Sequence, residues 1–159
     1  MYLTIRKYRP YLKSIALPLA VGSLSSVFTI MGMPYYEMQE KPFFTPPNFL
    51  FPIVWTILYL LMGISAEMVR QSADPKKNDI LQTYYLQLAV NFFWSVIFFG
   101  LHQYFIAFLC LLLLIILIIK MIREFAEISL TAAKLQIPYL LWCCFASVLN
   151  FGVWWLNRT

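Results

Sequence analysis

Five apolar runs divide the chain, over residues 12–31, 49–68, 81–101, 104–119 and 133–156. A helix needs about 20 mostly apolar residues to cross the hydrocarbon core of a bilayer. In lipid, a continuous helix satisfies every backbone amide within its own segment. The runs are too long and too uninterrupted for the alternating strands of a membrane barrel. The pattern predicts an all-α integral membrane protein, a five-transmembrane-helix bundle in which residues 1–159 form a single transmembrane domain. The fourth run is the most apolar, with LCLLLLIILII at its heart.

The polar breaks are uneven. Residues 32–48 make the longest connection, between the first and second helices, and it is rich in Pro, Tyr and Phe. QSADPKKN, residues 71–78, reads as a short polar turn. Residues 100–103 leave so little chain that the third and fourth helices are expected to pack as antiparallel neighbours. Residues 123–134 read as a polar, partly helical connector. No internal repeat or low-complexity tract is present.

Composition agrees with the pattern. The chain is 62% hydrophobic and 12% charged, against about 45–50% and about 25% for a soluble domain. The net charge of +5 lies in short loops rather than on one face, so it points to topology and anionic lipid and not to nucleic acid. With the N-terminus inside, Arg6, Lys7, Arg9, Lys13, Arg70, Lys76, Lys77, Lys120, Arg123 and Lys134 all fall inside, and only Lys41 and Arg158 outside. The positive-inside rule then puts the N-terminus in the cytoplasm and the long first loop and C-terminus outside. A bacterial plasma membrane is the expected location. The basic N-terminal stretch resembles a signal peptide, but no small-x-small cleavage site follows it. The first run therefore reads as a retained helix. Cys110, Cys143 and Cys144 lie in apolar runs, match no zinc spacing, and read as small buried hydrophobes.

Ionisable residues are missing from the middle of every run, where ion-coupled carriers and pumps usually place them. Glu67, three residues before Arg70 at the end of the second run, reads as half of an interfacial pair. His102 stands alone in a tight turn and reads as a capping or interfacial residue. No Ser-His-Asp or Cys-His set, phosphate-binding glycine loop or paired carboxylate is present, so conventional acid–base or nucleophilic catalysis has no machinery here. What the chain does carry is aromatic: five Trp, ten Tyr and fourteen Phe. Trp154 and Trp155 close the last helix as an interfacial belt. Trp55 and Tyr59 share a helix face, as do Trp142, Ala146 and Leu149, and Asn91 and Ser95 lie beside Trp94. Asn91 and Asn150, polar within their runs, each need a partner in another helix or in a ligand. Ser25 and Ser26 add hydroxyls to the first helix. These residues describe an aromatic cavity with polar handles under a loop, a common form of small-molecule site. Ordinary aromatic packing in a bundle gives the same spacing, and the residues alone leave both readings open.

Three ordered stretches carry a resemblance. KPFFTPPNFLFPIVWTILYLLMG, residues 41–63, resembles the loop and second helix of the translocator protein family, the tryptophan-rich sensory proteins or peripheral-type benzodiazepine receptors. QLAVNFFWSVIFFG, residues 87–100, and PYLLWCCFASVLNFGVW, residues 138–154, match in order on the third and fifth helices. The resemblance implies a five-helix bundle, usually a homodimer, whose first loop is a lid over an internal pocket. It implies a receptor or sensor for a porphyrin-type tetrapyrrole, protoporphyrin IX, and for benzodiazepine-site ligands, with no cofactor. Two other accounts remain, a light-dependent porphyrin-degrading enzyme and a transporter of porphyrin or another metabolite. By motif, the ligand-binding residues would be Ser26, Tyr36 from the lid, Pro46 at its end, Trp55, Tyr59, Asn91, Trp94, Trp142, Ala146 and Leu149. Trp55 and Trp142 match the two tryptophans linked to porphyrin breakdown and would be the catalytic pair if that reaction occurs. Pro46 and Pro47 are expected to end the lid and fix the start of the second helix.

The chain departs from the family pattern in two places. Phe44 stands where the KPxWxPP stretch commonly has Trp. The run VLNFGVWWLNR has Phe151 where the cholesterol-recognition pattern of eukaryotic members needs Tyr, which argues against sterol binding through that pattern. In the first helix, Ala16-x-x-x-Ala20 and Gly22-x-x-x-Ser26 permit close helix contact.

Overall fold

The computed structural model describes residues 2–158, with side chains from residue 9 onward. The described residues are helical with no strands. Helix α1 spans Tyr2–Glu37, α2 Leu50–Arg70 and α3 Lys77–Ser95, the last extended by one π-helical turn over Val96–Gly100. Helix α4 spans Tyr104–Ile128, the short α5 Leu130–Lys134, and α6 Ile137–Leu156.

Several boundaries differ from those the hydropathy pattern predicts. Hydropathy marks where apolar residues end, not where helical hydrogen bonding ends. α1 continues through Pro34 and stops at Glu37, where the Lys41 ammonium donates to the carbonyls of Tyr36 and Glu37 at 3.3 and 3.0 Å. Tyr36 is therefore in the last helical turn, and the first connection is residues 38–49 rather than 32–48. α4 runs nine residues beyond 119, into a polar end where Lys120 and Glu124 pair one turn apart at 3.5 Å. The connector after it is largely helical, because the Ser129 side chain caps the Ala132 amide at 3.3 Å and starts α5.

Among the described residues, four helical stretches are long and apolar enough to cross a membrane: Arg9–Glu37, Leu50–Arg70, Tyr104–Ile128 and Leu130–Leu156. α3 taken alone, Lys77–Ser95, is not among them, because its first turn is charged and its apolar end lies in the π-helical turn over Val96–Gly100. Its Thr83, Gln87, Asn91 and Ser95 also lower the average hydropathy, yet all four are buried. α3 thus carries its polar residues inward, where neighbouring helices meet them.

α1 packs on α2 and on the far end of α3, α3 packs on α4, and α4 on α6, while α2 also touches α3 and α5. The backbones of α2 and α6 stand apart, and a groove lined by their side chains runs between them. Met62, Ala66, Leu111, Leu114, Ile118, Met121 and Phe125 fill the centre, each fully buried. Lipid tails are as apolar as these side chains, so close packing and interhelical hydrogen bonds hold such a bundle together. α1 meets α2 at Gly63, where an added Cβ would lie 2.5 Å from the Ile15 Cα. One turn further on, the buried Glu67 accepts from Ser14 of α1, from Arg70 at 2.8 Å and from Gln71 at 3.0 Å, while Arg70 also donates to Tyr85 of α3 at 2.9 Å. The expected interfacial pair is thus part of a three-helix tie.

Gly63→Val must push α1 off α2, because the atom it meets is backbone. We expect a loss of about 1–3 kcal/mol, the usual cost of overpacking, read as an earlier transition in detergent-titrated unfolding. Gly63→Ala should show a smaller loss in the same series.

Candidate functional site

The cluster grows from four aromatic residues on three helices. Trp55 of α2 stacks on Tyr59 one turn below it, with ring centroids 5.5 Å apart. It also meets Trp94 of α3 at 6.2 Å and Tyr139 of α6 at 6.1 Å. A hydrogen-bond chain ties the same helices. The Tyr59 hydroxyl donates to Asn91 Oδ1 at 3.0 Å, the Asn91 amide to Tyr139 Oη at 2.8 Å, and the Tyr139 hydroxyl to Gln87 Oε1 at 2.7 Å. A second tie lies further along. Trp94 Nε1 donates to Asn150 Oδ1 at 3.1 Å, and the Asn150 amide to the Tyr104 carbonyl at 2.8 Å. Both asparagines within the apolar runs thus find partners in other helices.

Beyond Trp94 the aromatic packing continues to Phe98, at 5.5 Å, and from there to Tyr36 of α1, at 5.7 Å, and Tyr104 of α4, at 4.9 Å. Of the residues singled out in the sequence, the structure brings together Trp55, Tyr59, Asn91 and Trp94, with Tyr36 joined through Phe98. Ala146 and Leu149 are buried on α6. Pro46 is half-buried in the first connection. Ser26 is not brought in: it is exposed, and its hydroxyl donates to the Ser23 carbonyl at 2.7 Å. The neighbouring Ser25 is the buried one.

Trp142 sits apart from the Trp55 stack. It packs between Phe51, at 5.8 Å, and Phe145, at 5.6 Å. Together with Val54, Ile57, Leu58, Pro138, Leu141 and Phe145 it lines the groove between α2 and α6, of about 420 Å³. Ile57 and Leu141 are exposed, so the groove opens sideways, toward lipid. The Trp142 Nε1 is buried at this wall with no acceptor among the described residues.

The first connection crosses to α6. The Glu40 amide donates to Asn157 Oδ1 at 3.0 Å, and the Asn157 amide returns a bond to the Glu40 carbonyl at 2.9 Å. Pro42 rests on Gly152, where a Cβ would come within 2.4 Å of the proline ring. Phe44 reaches Phe145 at 6.4 Å. Pro46 and Pro47 precede α2 by a further turn. The helix starts at Leu50, after the Leu50 amide bonds to the Pro47 carbonyl at 3.0 Å, and the proline inside its first turn is Pro52.

Tyr139, Gln87 and Phe98 are members of the cluster that the sequence reading does not single out. Gln87 carried a signal, since it is four residues before Asn91 and shares its helix face. Tyr139 had a weaker one. The buried face of α6 holds residues 139, 143, 146, 150 and 153, a register that includes Ala146 but turns Trp142 toward the groove.

The arrangement defines a class: a helical integral membrane protein with an aromatic interior, cross-linked by neutral polar groups, and a lateral apolar groove. The TspO/MBR family matches residues 14–156. A tryptophan-rich protein TspO of Archaeoglobus fulgidus is 39% identical over 145 residues, covering 91% of this chain and 94% of the relative. One of Chlorobaculum tepidum is 40% identical over 147 residues, 90% of this chain and 92% of the relative. A tryptophan-rich sensory protein of Cereibacter sphaeroides is 32% identical over 123 residues, 77% of each chain. The chain belongs to the TspO/MBR family.

Asn91→Leu removes the acceptor for Tyr59 and the donor to Tyr139 in one step. We expect a loss of about 1–2 kcal/mol, at the upper end for interhelical hydrogen bonds in a membrane, measured by unfolding in mixed detergent. Asn157→Ala should free the first connection without loosening α6. Faster cleavage after Glu40 by a glutamate-specific protease, at unchanged helix content, is the expected reading.

Proposed function

We propose that the protein is a membrane receptor or sensor that binds a porphyrin-type tetrapyrrole, protoporphyrin IX, and benzodiazepine-site ligands against its aromatic residues. The observation that carries this reading is the groove between α2 and α6. Its volume of about 420 Å³ falls within the range of about 300–1,000 Å³ usual for small-molecule sites. Its walls are apolar and aromatic. A flat apolar macrocycle needs such walls, because an aromatic face offers dispersion contact and a quadrupole without a ligating side chain. The name of the Cereibacter relative, a sensory protein, agrees with a receptor.

In this reading the ligand lies over Trp142 and reaches inward past Phe51 toward Trp55 and Tyr59. Tyr36, Asn91, Trp94, Ala146 and Leu149 form the deeper part of the site. The connection over residues 38–49 acts as its lid, with Pro46 at the lid's end. The bundle crosses the membrane five times. α3 is the fifth span, shielded from lipid on its polar face, and its 19 residues plus the five-residue π turn give about 36 Å at 1.5 Å per residue. The N-terminus lies in the cytoplasm of a bacterial cell, and the working unit is a homodimer.

One observation favours a second reading. Trp142 stands at the groove wall, and Trp55 lies on the facing helix, packed on Tyr139 of Trp142's own helix. An indole beside a photoexcited porphyrin is an oxidisable electron donor, so light-dependent porphyrin breakdown needs no acid–base machinery. Transport of porphyrin or another metabolite through the same groove is the third account.

Protoporphyrin IX titration of the purified protein, followed by tryptophan fluorescence in the dark and then under light, separates these. Wild type should show saturable quenching, and Trp142→Phe should weaken it several-fold. Stable porphyrin bands under light would support the receptor. Loss of the bands in wild type, but not in Trp55→Phe or Trp142→Phe, would support the photoenzyme. Absence of saturable quenching would overturn porphyrin binding altogether.

A further inference from the structure

The hydrogen-bond chain through the core has a direction and an open end. Tyr59 donates to Asn91, Asn91 to Tyr139, and Tyr139 to Gln87. Every hydrogen points the same way, an arrangement in which each bond polarises the next. The next donor in line is the Gln87 amide nitrogen, which is buried and meets no acceptor among the described residues. Two more buried side chains share that condition nearby. The Gln136 amide has no partner at either end, and the Tyr84 hydroxyl has none. Gln87 and Gln136 are 0% exposed and Tyr84 is 1% exposed.

Register places these groups at one height in the bundle. The cross-bonds Gln87–Tyr139, Asn91–Tyr139 and Trp94–Asn150 climb both helices in the same sense, so α3 and α6 run parallel. Tyr84 is one turn before Gln87 on α3, and Gln136 is one turn before Tyr139 at the start of α6. Both lie about 4.5 Å below the Gln87–Tyr139 bond, at three residues of 1.5 Å rise. They share one level, on the side of the bundle that carries Lys77 and Lys134.

Buried polar groups at this density do not stay dry, because a buried group without a partner loses more than a typical hydrogen bond returns. Polar groups too far apart for a direct bond are commonly joined through water. We propose that Gln87, Gln136 and Tyr84 bind a small buried water cluster, which accepts from the Gln87 amide and connects it to the Gln136 amide and the Tyr84 hydroxyl. Water fits the chemistry, since it both donates and accepts, and a buried water needs two to four polar partners. A divalent ion does not fit, because none of the three side chains brings charge to offset it in the interior. The nearest buried charge on α2, Glu67, already holds its own partners. The cluster makes the polar seam end in water. The Tyr59 and Tyr139 hydroxyls, which face the aromatic residues, are then linked by hydrogen bonds to the Lys77 end of the bundle. This site stands independently of any ligand in the groove.

Radiolytic hydroxyl-radical footprinting of the full-length protein in lipid nanodiscs tests the proposal, because bound water is itself the radical source. Tyr84 and Tyr139 should be modified about as fast as the exposed Tyr85. Met121, also 0% exposed and chemically the more reactive side chain, should stay unmodified. Gln136→Leu should cut Tyr84 modification several-fold and lower the Tm, whereas Gln136→Asn should keep most of the modification. Wild-type Tyr84 and Tyr139 as silent as Met121 would overturn the site. So would a higher Tm in Gln136→Leu, the result expected when a dry, unpaired amide is removed. The wild-type rates decide alone should that variant not fold.

Discussion

The bundle depends on how a polar group is satisfied inside a membrane. Lipid removes the hydrophobic force that would otherwise drive helices together, and it leaves a buried amide with no water to turn to. Asn91 answers both conditions. It sits on the one long helix that is poor in hydropathy, and it bonds α2 on one side and α6 on the other. The backbones of those two helices stand apart, and they otherwise meet through ring pairs, Trp55 with Tyr139 and Phe51 with Trp142. The cross-link therefore sets how far α2 and α6 separate, and with that the width of the groove between them.

The placement of the tryptophans follows. Trp55 is drawn into the core, because Tyr59 one turn below it is held by Asn91 and carries the stack with it. Trp142, three residues after Tyr139 on α6, packs between Phe51 and Phe145 and lines the groove. The two indoles thus occupy different environments, one packed among rings and the other at an apolar wall open to lipid. The first connection adds a second constraint at the far end. Asn157 grips the Glu40 backbone from both sides, and Gly152 leaves room for Pro42. The chain after α1 is thereby drawn across to α6 before α2 begins.

Much of this was legible in the residues. The apolar runs marked the helices. The short turn over 100–103 implied antiparallel α3 and α4, and the motifs around Trp55, Asn91 and Trp142 pointed to the family. Boundaries were less legible. α1 and α4 outrun their apolar stretches, since Lys41 and the Lys120–Glu124 pair continue or close helices in polar sequence. The choice between Ser25 and Ser26 was beyond reach, because neighbouring residues differ by only a fraction of a turn. The same limit hid Tyr139, whose value lies in reaching Asn91 and Gln87 across the core.

The sequence by itself determined that this is a helical membrane protein, because apolar length and backbone satisfaction in lipid admit one solution. It also determined the family, because the three motifs are dense in rare residues. Only the tertiary structure decided which side chains meet. The rotation of each helix about its axis is fixed by cross-helix bonds such as Tyr59–Asn91–Tyr139. No periodicity along a single helix records those partners.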